Sequence, residues 1–158
     1  MRLRQGVVAL ILPVIGGIAL LTWRGLPATS EVAREARGQV VSGAKVVGEV
    51  GTTSSAGQPV YEIDYVVLDV GQSPARGVRQ QAERVKLLRW DVDEDGPVSF
   101  SAHSSRLNGL ATFVPLRDYL AESNPAPSEV GTMEKLRERF GEDSDLVLVV
   151  LQPLDPRK

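Results

Sequence analysis

The sequence contains no cysteine and only one histidine among its 158 residues. A chain without cysteine forms no disulfide, offers no thiolate to a metal ion and has no cysteine nucleophile. A single histidine does not supply the ligands of a zinc site that lacks sulfur. These absences exclude disulfide scaffolds and the usual structural zinc sites, and we expect no cofactor.

Phosphate-binding patterns are also absent, since no Walker sequence and no dinucleotide fingerprint occurs. The formal net charge is −2, but it is unevenly distributed. The first 24 residues hold three arginines and no acid, whereas acids outnumber bases by 20 to 15 in the rest. A protein that coats a nucleic-acid backbone has the opposite sign of charge. A nucleic acid is therefore not an expected partner.

The most distinctive feature that is present is a long uncharged run near the start. Nineteen residues, rich in Val, Ile and Leu, separate Arg4 from Arg24. As a helix this run would rise about 28 Å, close to the ~30 Å thickness of the membrane hydrocarbon. Two arginines precede the run and one follows it, so the positive-inside rule places the N-terminus in the cytoplasm. The sequence predicts a cytoplasmic tail over 1–6, a transmembrane helix over 7–23 and a linker over 24–30.

A cleaved secretory signal is the alternative interpretation of this run. Small residues around Ala28 are compatible with a cleavage site after a basic start and an apolar core. The run is longer than the about 7–15 residues of a usual signal core, and Arg24 interrupts it before the site. We therefore predict a single-pass protein of the inner (cytoplasmic) membrane, in contact with its lipid, with an extracytoplasmic domain.

Residues 31–153 are predicted to form that domain, with a short tail over 154–158. A short helix over 31–37 is expected to end at Gly38. Alternating apolar residues then predict strands over 39–50 and 60–70, which form a hairpin. The fold class is α+β, with a mainly antiparallel sheet that is curled or barrel-like.

The segment over residues 74–90 fits both a helix and a strand. Apolar residues between Val78 and Leu88 recur at helical spacing, whereas those after Val85 nearly alternate. We favour a polar loop over 71–82, followed by a strand over 83–92, because an Asp/Gly turn and another strand follow at hairpin distance. The helical alternative stays open.

The remaining part of the domain has clearer patterns. Alternation around Phe100 predicts a strand with Ser101 and His103 on its polar face, and residues 110–116 predict another strand. Thr132 is placed to cap a helix whose apolar stripe is formed by Met133, Leu136 and Phe140, with Gly141 at its end. The apolar run Leu146–Leu151 predicts a final strand that is buried on both faces.

An acidic turn over 91–96 is the one candidate metal site. Asp91, Asp93 and Asp95, followed by Gly96, match the first half of a calcium loop. The twelfth position is Ala102, where a calcium loop needs a bidentate glutamate. We interpret the segment as a solvated hairpin turn, and the three aspartates as weak candidate ligands only.

Three other groups of residues are candidates for catalysis or binding. His103 with Ser101 or Ser105 could act as a base and a nucleophile, but no nucleophile elbow accompanies them. Glu62 and Asp64 share a strand face about 7 Å apart, within the range of glycosidase carboxylates. A basic run over residues 76–89 could contact lipid headgroups or an acidic partner. A solvated surface is the simpler interpretation of all three.

The sequence therefore predicts no catalytic residue and no enzyme. The expected function is that of a membrane-anchored accessory, assembly or protein-interaction subunit, with a protein partner in an envelope complex. An extracytoplasmic module that binds a ligand or an ion at residues 91–96 is one alternative. A small hydrolase that uses His103 is another.

Overall fold

The structure is a computed structural model that describes residues 31–54, 60–141, 145–155 and 157. The predicted tail, transmembrane helix and linker, and the alternative cleavage site near Ala28, lie outside the described residues. Within the described part of the chain, no helix combines the length and the apolar character that a membrane crossing requires.

A six-stranded sheet, antiparallel throughout, forms the centre of the domain. Its spatial order is β1-β2-β6-β5-β4-β3, so β1 and β3 are the two edges and the sheet is not closed. The antiparallel α+β prediction is confirmed, whereas the open edges show that the sheet is not a barrel. The strands are β1 (Lys45–Thr53), β2 (Glu62–Asp69), β3 (Asp91–Glu94), β4 (Phe100–Ser104), β5 (Gly109–Pro115) and β6 (Val147–Pro153).

Helices cover the sheet on both sides. Ala36 and Val40 of α1, with Val78 and Val85 of α2, pack into one apolar cluster on what we call the first face of the sheet. Helices α3 and α4 pack into a second cluster, on the second face. The helices are α1 (Arg34–Val40), α2 (Pro74–Leu87), α3 (Leu116–Leu120) and α4 (Pro127–Phe140).

Strand β6 lies between β2 and β5 and is buried from both sides, as its apolar run predicts. Val147 and Val149 belong to the cluster of the first face. Leu148 belongs to the cluster of the second face, together with Tyr65 and Leu136. Residues 147–149 are apolar and buried on both sides because both sides of the strand meet helices, whereas Val150 and Gln152 are half-buried.

The segment over 74–90 corrects the sequence prediction, because residues 74–87 are helical rather than a loop followed by a strand. Val78, Ala82 and Val85 recur at i, i+4 and i+7 and are all buried against the first face. Leu87, one of the residues that suggested alternation, is 84% exposed. The strand that follows is limited to Asp91–Glu94.

Two helix boundaries also differ from the prediction. Helix α1 continues past Gly38 to Val40, so the first strand begins at Lys45 rather than at residue 39. Helix α4 begins at Pro127, where the Glu129 carboxylate accepts a hydrogen bond from the Ala126 N–H at 3.3 Å. Thr132 is buried within this helix and does not cap it.

The other expected end of helix α4 is confirmed. Met133 and Leu136 are buried, and Phe140 packs against them at the margin of the second cluster. Gly141 follows with φ +74°, a conformation that glycine adopts without steric cost.

Candidate functional site

The acidic turn joins the edge strand β3 to β4. Asp91 and Asp93 lie in β3 and are exposed, whereas Asp95 lies in the turn and accepts a hydrogen bond from the Ser101 hydroxyl. Among the residues that the structure describes, no group of three or more acidic or histidine side chains is placed to hold a metal ion. The turn is thus held by a serine–aspartate contact within the hairpin.

His103 has an aspartate partner that the sequence interpretation missed. The β3–β4 register places Asp91 directly opposite His103, with 3.5 Å between His103 Nε2 and Asp91 Oδ2. The missed signal was the hairpin register itself, which pairs residues twelve apart across the Asp/Gly turn. Ser101 donates to Asp95 instead of to the imidazole, and Ser105 lies beyond the end of β4. These residues are not arranged as a nucleophile, a base and an orienting acid.

Glu62 and Asp64 lie beside a shallow hollow of about 370 Å³ at the β1–β2 hairpin, together with Gly51, Thr52 and Thr53. Burial raises the pKa of Asp64, although the nearby Arg37 guanidinium acts to lower it. Arg37 itself forms an ion pair with Glu49 of β1. Asp64 therefore belongs to a group of charges that connects α1 to the β1–β2 hairpin.

The basic run lies on and just after helix α2, on the outer side of the first face. Arg76 and Arg79 are exposed beside a shallow hollow. Arg84 is turned inward, where its Nη1 donates to the Ser42 carbonyl at 3.2 Å and to the Gln81 side-chain oxygen at 2.9 Å. Arg84 thus connects α2 to the segment after α1, and the run is not a uniform basic surface.

The second face of the sheet is covered over part of its area. Helices α3 and α4 pack against β1, β5 and β6, and their apolar cluster includes Tyr65 and Val67 of β2. Some side chains of β4 and of the start of β5 also point to this second face. They belong to neither apolar cluster and stay partly exposed. We call this area the open half-sheet; it comprises Ser101, His103, Leu110 and Thr112.

A cleft of about 390 Å³ lies where the open half-sheet meets helices α3 and α4. All three tyrosines of the chain line it, although they come from separate parts of the sequence. The other residues that line it, in the part of the chain that the structure describes, carry hydroxyl, amide, aliphatic or carboxylate groups, and none of them is lysine, arginine or histidine. We call it the tyrosine cleft; its polar lining includes Tyr61, Tyr65, Thr112, Tyr119, Ser128, Glu129 and Gln152.

Two of these tyrosines contact each other within the second apolar cluster. The ring centroids of Tyr65 and Tyr119 are 6.0 Å apart, and the rings are tilted by 51°. The Tyr119 hydroxyl is buried and makes no hydrogen bond of normal geometry among the described residues, although the Tyr65 hydroxyl and the Glu129 carboxylate lie near enough to act on it. Burial raises the pKa of both phenols, and the negative charge of Glu129 raises them further. Both hydroxyls are therefore neutral at physiological pH.

No protein-family model, curated protein or solved structure matches this chain. Its function is therefore argued from its own residues. The open half-sheet and the tyrosine cleft are the candidate site, because they combine a sheet surface that no described helix covers with a polar recess lined by three tyrosines.

Proposed function

We propose that this protein is a membrane-anchored, non-enzymatic interaction subunit whose extracytoplasmic domain binds a partner protein through the open half-sheet. The observation that carries the proposal is the unequal cover of the two faces. Helices pack along the first face, whereas on the second face no helix of the described residues packs over Leu110 and its neighbours. A partly apolar sheet surface beside a recess is typical of a surface that is completed by a partner.

The charges around this surface favour a basic partner that docks on the face. Asp91, Asp93 and Glu94 make the edge strand β3 acidic, and Asp95 continues the charge into the turn. Charged side chains on an edge discourage the addition of another strand. They also attract a basic surface and increase its rate of association.

Binding is favoured over hydrolysis by the way the polar groups are paired. Within the described residues, His103 contacts Asp91, while Ser101 donates to Asp95. A hydrolase would need a serine hydroxyl that donates to the imidazole. The ion-binding alternative likewise has no set of three ligands among the described residues.

The membrane anchor is proposed from the uncharged run between Arg4 and Arg24. We expect the full chain to remain in the membrane pellet after a carbonate wash, because about 28 Å of apolar helix spans the hydrocarbon. A reporter fused to the C-terminus should be active only outside the cytoplasm. A reporter that is active in the cytoplasm, or a full-length chain released by carbonate, would contradict the anchor.

The open half-sheet is tested by site-specific photo-crosslinking of the full chain in its membrane. Leu110 and, as a matched control, Leu87 are each replaced by a photoreactive phenylalanine analogue. Leu110 lies in the open half-sheet, whereas Leu87 is 84% exposed on the opposite side, in α2. We expect a protein adduct of discrete mass from position 110 that position 87 does not give. Equal adducts from the two positions, or no adduct from position 110, would overturn the proposed surface.

A further inference from the structure

We propose that the tyrosine cleft binds a protonated alkylamine, the group carried by a lysine side chain or by a small free amine. This inference rests on the proposed function, because the cleft borders the surface that the partner is proposed to cover. It adds the chemical class of the group that enters the recess.

The charge of the lining selects a cation. Among the described residues that line the cleft, Glu129 alone is formally charged. Its negative charge acts on the hydroxyls of both Tyr65 and Tyr119. An anionic ligand would meet this carboxylate without a compensating base in the lining, and would be repelled.

The N-terminus of helix α4 does not reverse this preference. The positive end of a helix dipole attracts anions. Here that end already holds an anion, because the Glu129 carboxylate accepts from the Ala126 N–H at 3.3 Å. A carboxylate has further lone pairs, so Glu129 can accept from a ligand while it caps the helix.

The polar and aromatic groups fit an ammonium with hydrogen atoms to donate. The faces of tyrosine rings attract cations, and three rings line this cleft. Glu129 and the hydroxyl groups of the lining can accept hydrogen bonds, and a primary ammonium brings three N–H donors. A quaternary ammonium would satisfy the rings but has no N–H to donate to Glu129, so a primary amine is the better fit.

The size of the cleft leaves room for a slender ligand. Its volume of about 390 Å³ lies near the lower end of the about 300–1,000 Å³ found for small-molecule sites. An unbranched chain of four carbons that ends in an ammonium is smaller than this volume and fits within it. Such a chain also places its methylene groups against the aliphatic lining residues Ile63, Val114 and Val150.

The tyrosines are themselves the reporters of the test. The full chain, in an uncharged detergent, is labelled with 3-fluorotyrosine and followed by fluorine NMR, with each signal assigned by a Tyr→Phe variant. Because the chain has three tyrosines and all line the cleft, each signal reports on the site. We expect n-butylammonium to shift the Tyr65 and Tyr119 signals saturably. The same concentrations of n-butanol and of butyrate should not do so.

Two variants separate the charge and the hydroxyl from general effects on the fold. Glu129→Gln should weaken butylammonium binding about tenfold, whereas Glu134→Gln, an exposed acid on the same helix, should leave it unchanged. Tyr119→Phe should weaken butylammonium several-fold while tetramethylammonium binding stays the same. The fold should tolerate this change, because the change removes no hydrogen bond of normal geometry.

A second titration identifies the source of the amine. A lysine-containing peptide that binds tighter than butylammonium, and loses binding when its lysine is acetylated, would assign the cleft to a lysine of the partner. Equal binding of the peptide and the free amine would assign it to a small amine; both results support the inference.

Absence of a saturable shift, equal shifts with butyrate, or equal losses in the Glu129 and Glu134 variants would overturn the inference. The crosslinking at Leu110 is independent of these titrations. A discrete adduct at position 110 without amine binding would remove only the inference about the cleft, and the reverse result would remove only the partner surface.

Discussion

Replacing Leu148 with alanine is expected to lower the free energy of unfolding by about 2–5 kcal/mol. Leu148 is 0% exposed on the second face of the central strand, where it packs in the cluster of Val67, Leu136 and Tyr65. Truncation removes this contact area and leaves a cavity that the paired strands on each side prevent from collapsing. The loss is a large part of the about 5–15 kcal/mol that stabilises a typical domain.

A matched leucine provides the control. Leu87→Ala removes the same atoms from a side chain that is 84% exposed in α2, and should change the free energy of unfolding by less than about 0.5 kcal/mol. Urea denaturation of both full-length variants, followed by circular dichroism, measures the difference. Similar destabilisation by the two substitutions would contradict the position of β6 in the core.

A chain that ends at Gly141 is expected to lose cooperative unfolding altogether. The deletion removes β6, which supplies the hydrogen-bonding partner of both β2 and β5. The β1–β2 hairpin and the β3–β4–β5 meander would then share no strand. Both would expose apolar residues and an unpaired edge, which favours aggregation.

The control for this deletion is a chain that ends at Asp155. It keeps β6 and the paired hydrogen bonds between Asn108 and the Asp155 backbone, of 2.8 and 2.9 Å. We expect it to melt at the parental temperature. If the chain ending at Gly141 also melts cooperatively at that temperature, the C-terminal unit is an appendage and not part of the core.

The parts of the fold that the sequence predicted are those in which one signal dominates. Leu146–Leu151 is apolar at every position, which only a strand with cover on both faces explains at that length. The β1–β2 hairpin follows from alternation on each side of a Gly/Ser-rich tract. The stripe of α4 follows from its helical spacing.

The middle of the chain was misinterpreted because two periods overlap there. Leu87 supplied apparent alternation with Val85, yet it is exposed, and burial instead follows Val78, Ala82 and Val85. Nothing local distinguishes these sets, since burial depends on which side of α2 meets the sheet. The sequence pattern fitted a helix and a strand about equally, and the contact of this segment with the sheet determined that it is a helix.

The candidate site could not be predicted from the sequence for a related reason. Alternation placed Tyr61 and Tyr65 on one face of β2, but nothing in the sequence locates Tyr119 beside them. That contact depends on α3, which follows β5 directly and packs over β6. The Asp91–His103 pair required only the hairpin register and could have been found.

The position of β6 has a consequence for biosynthesis. β6 is made after every other strand, yet it joins the two halves of the sheet. During synthesis, β2 and β5 each present an edge whose partner among the described strands has not yet been made. The nascent sheet therefore stays incomplete until the ribosome has released residues 147–153, and in that interval we expect its exposed edges to favour aggregation.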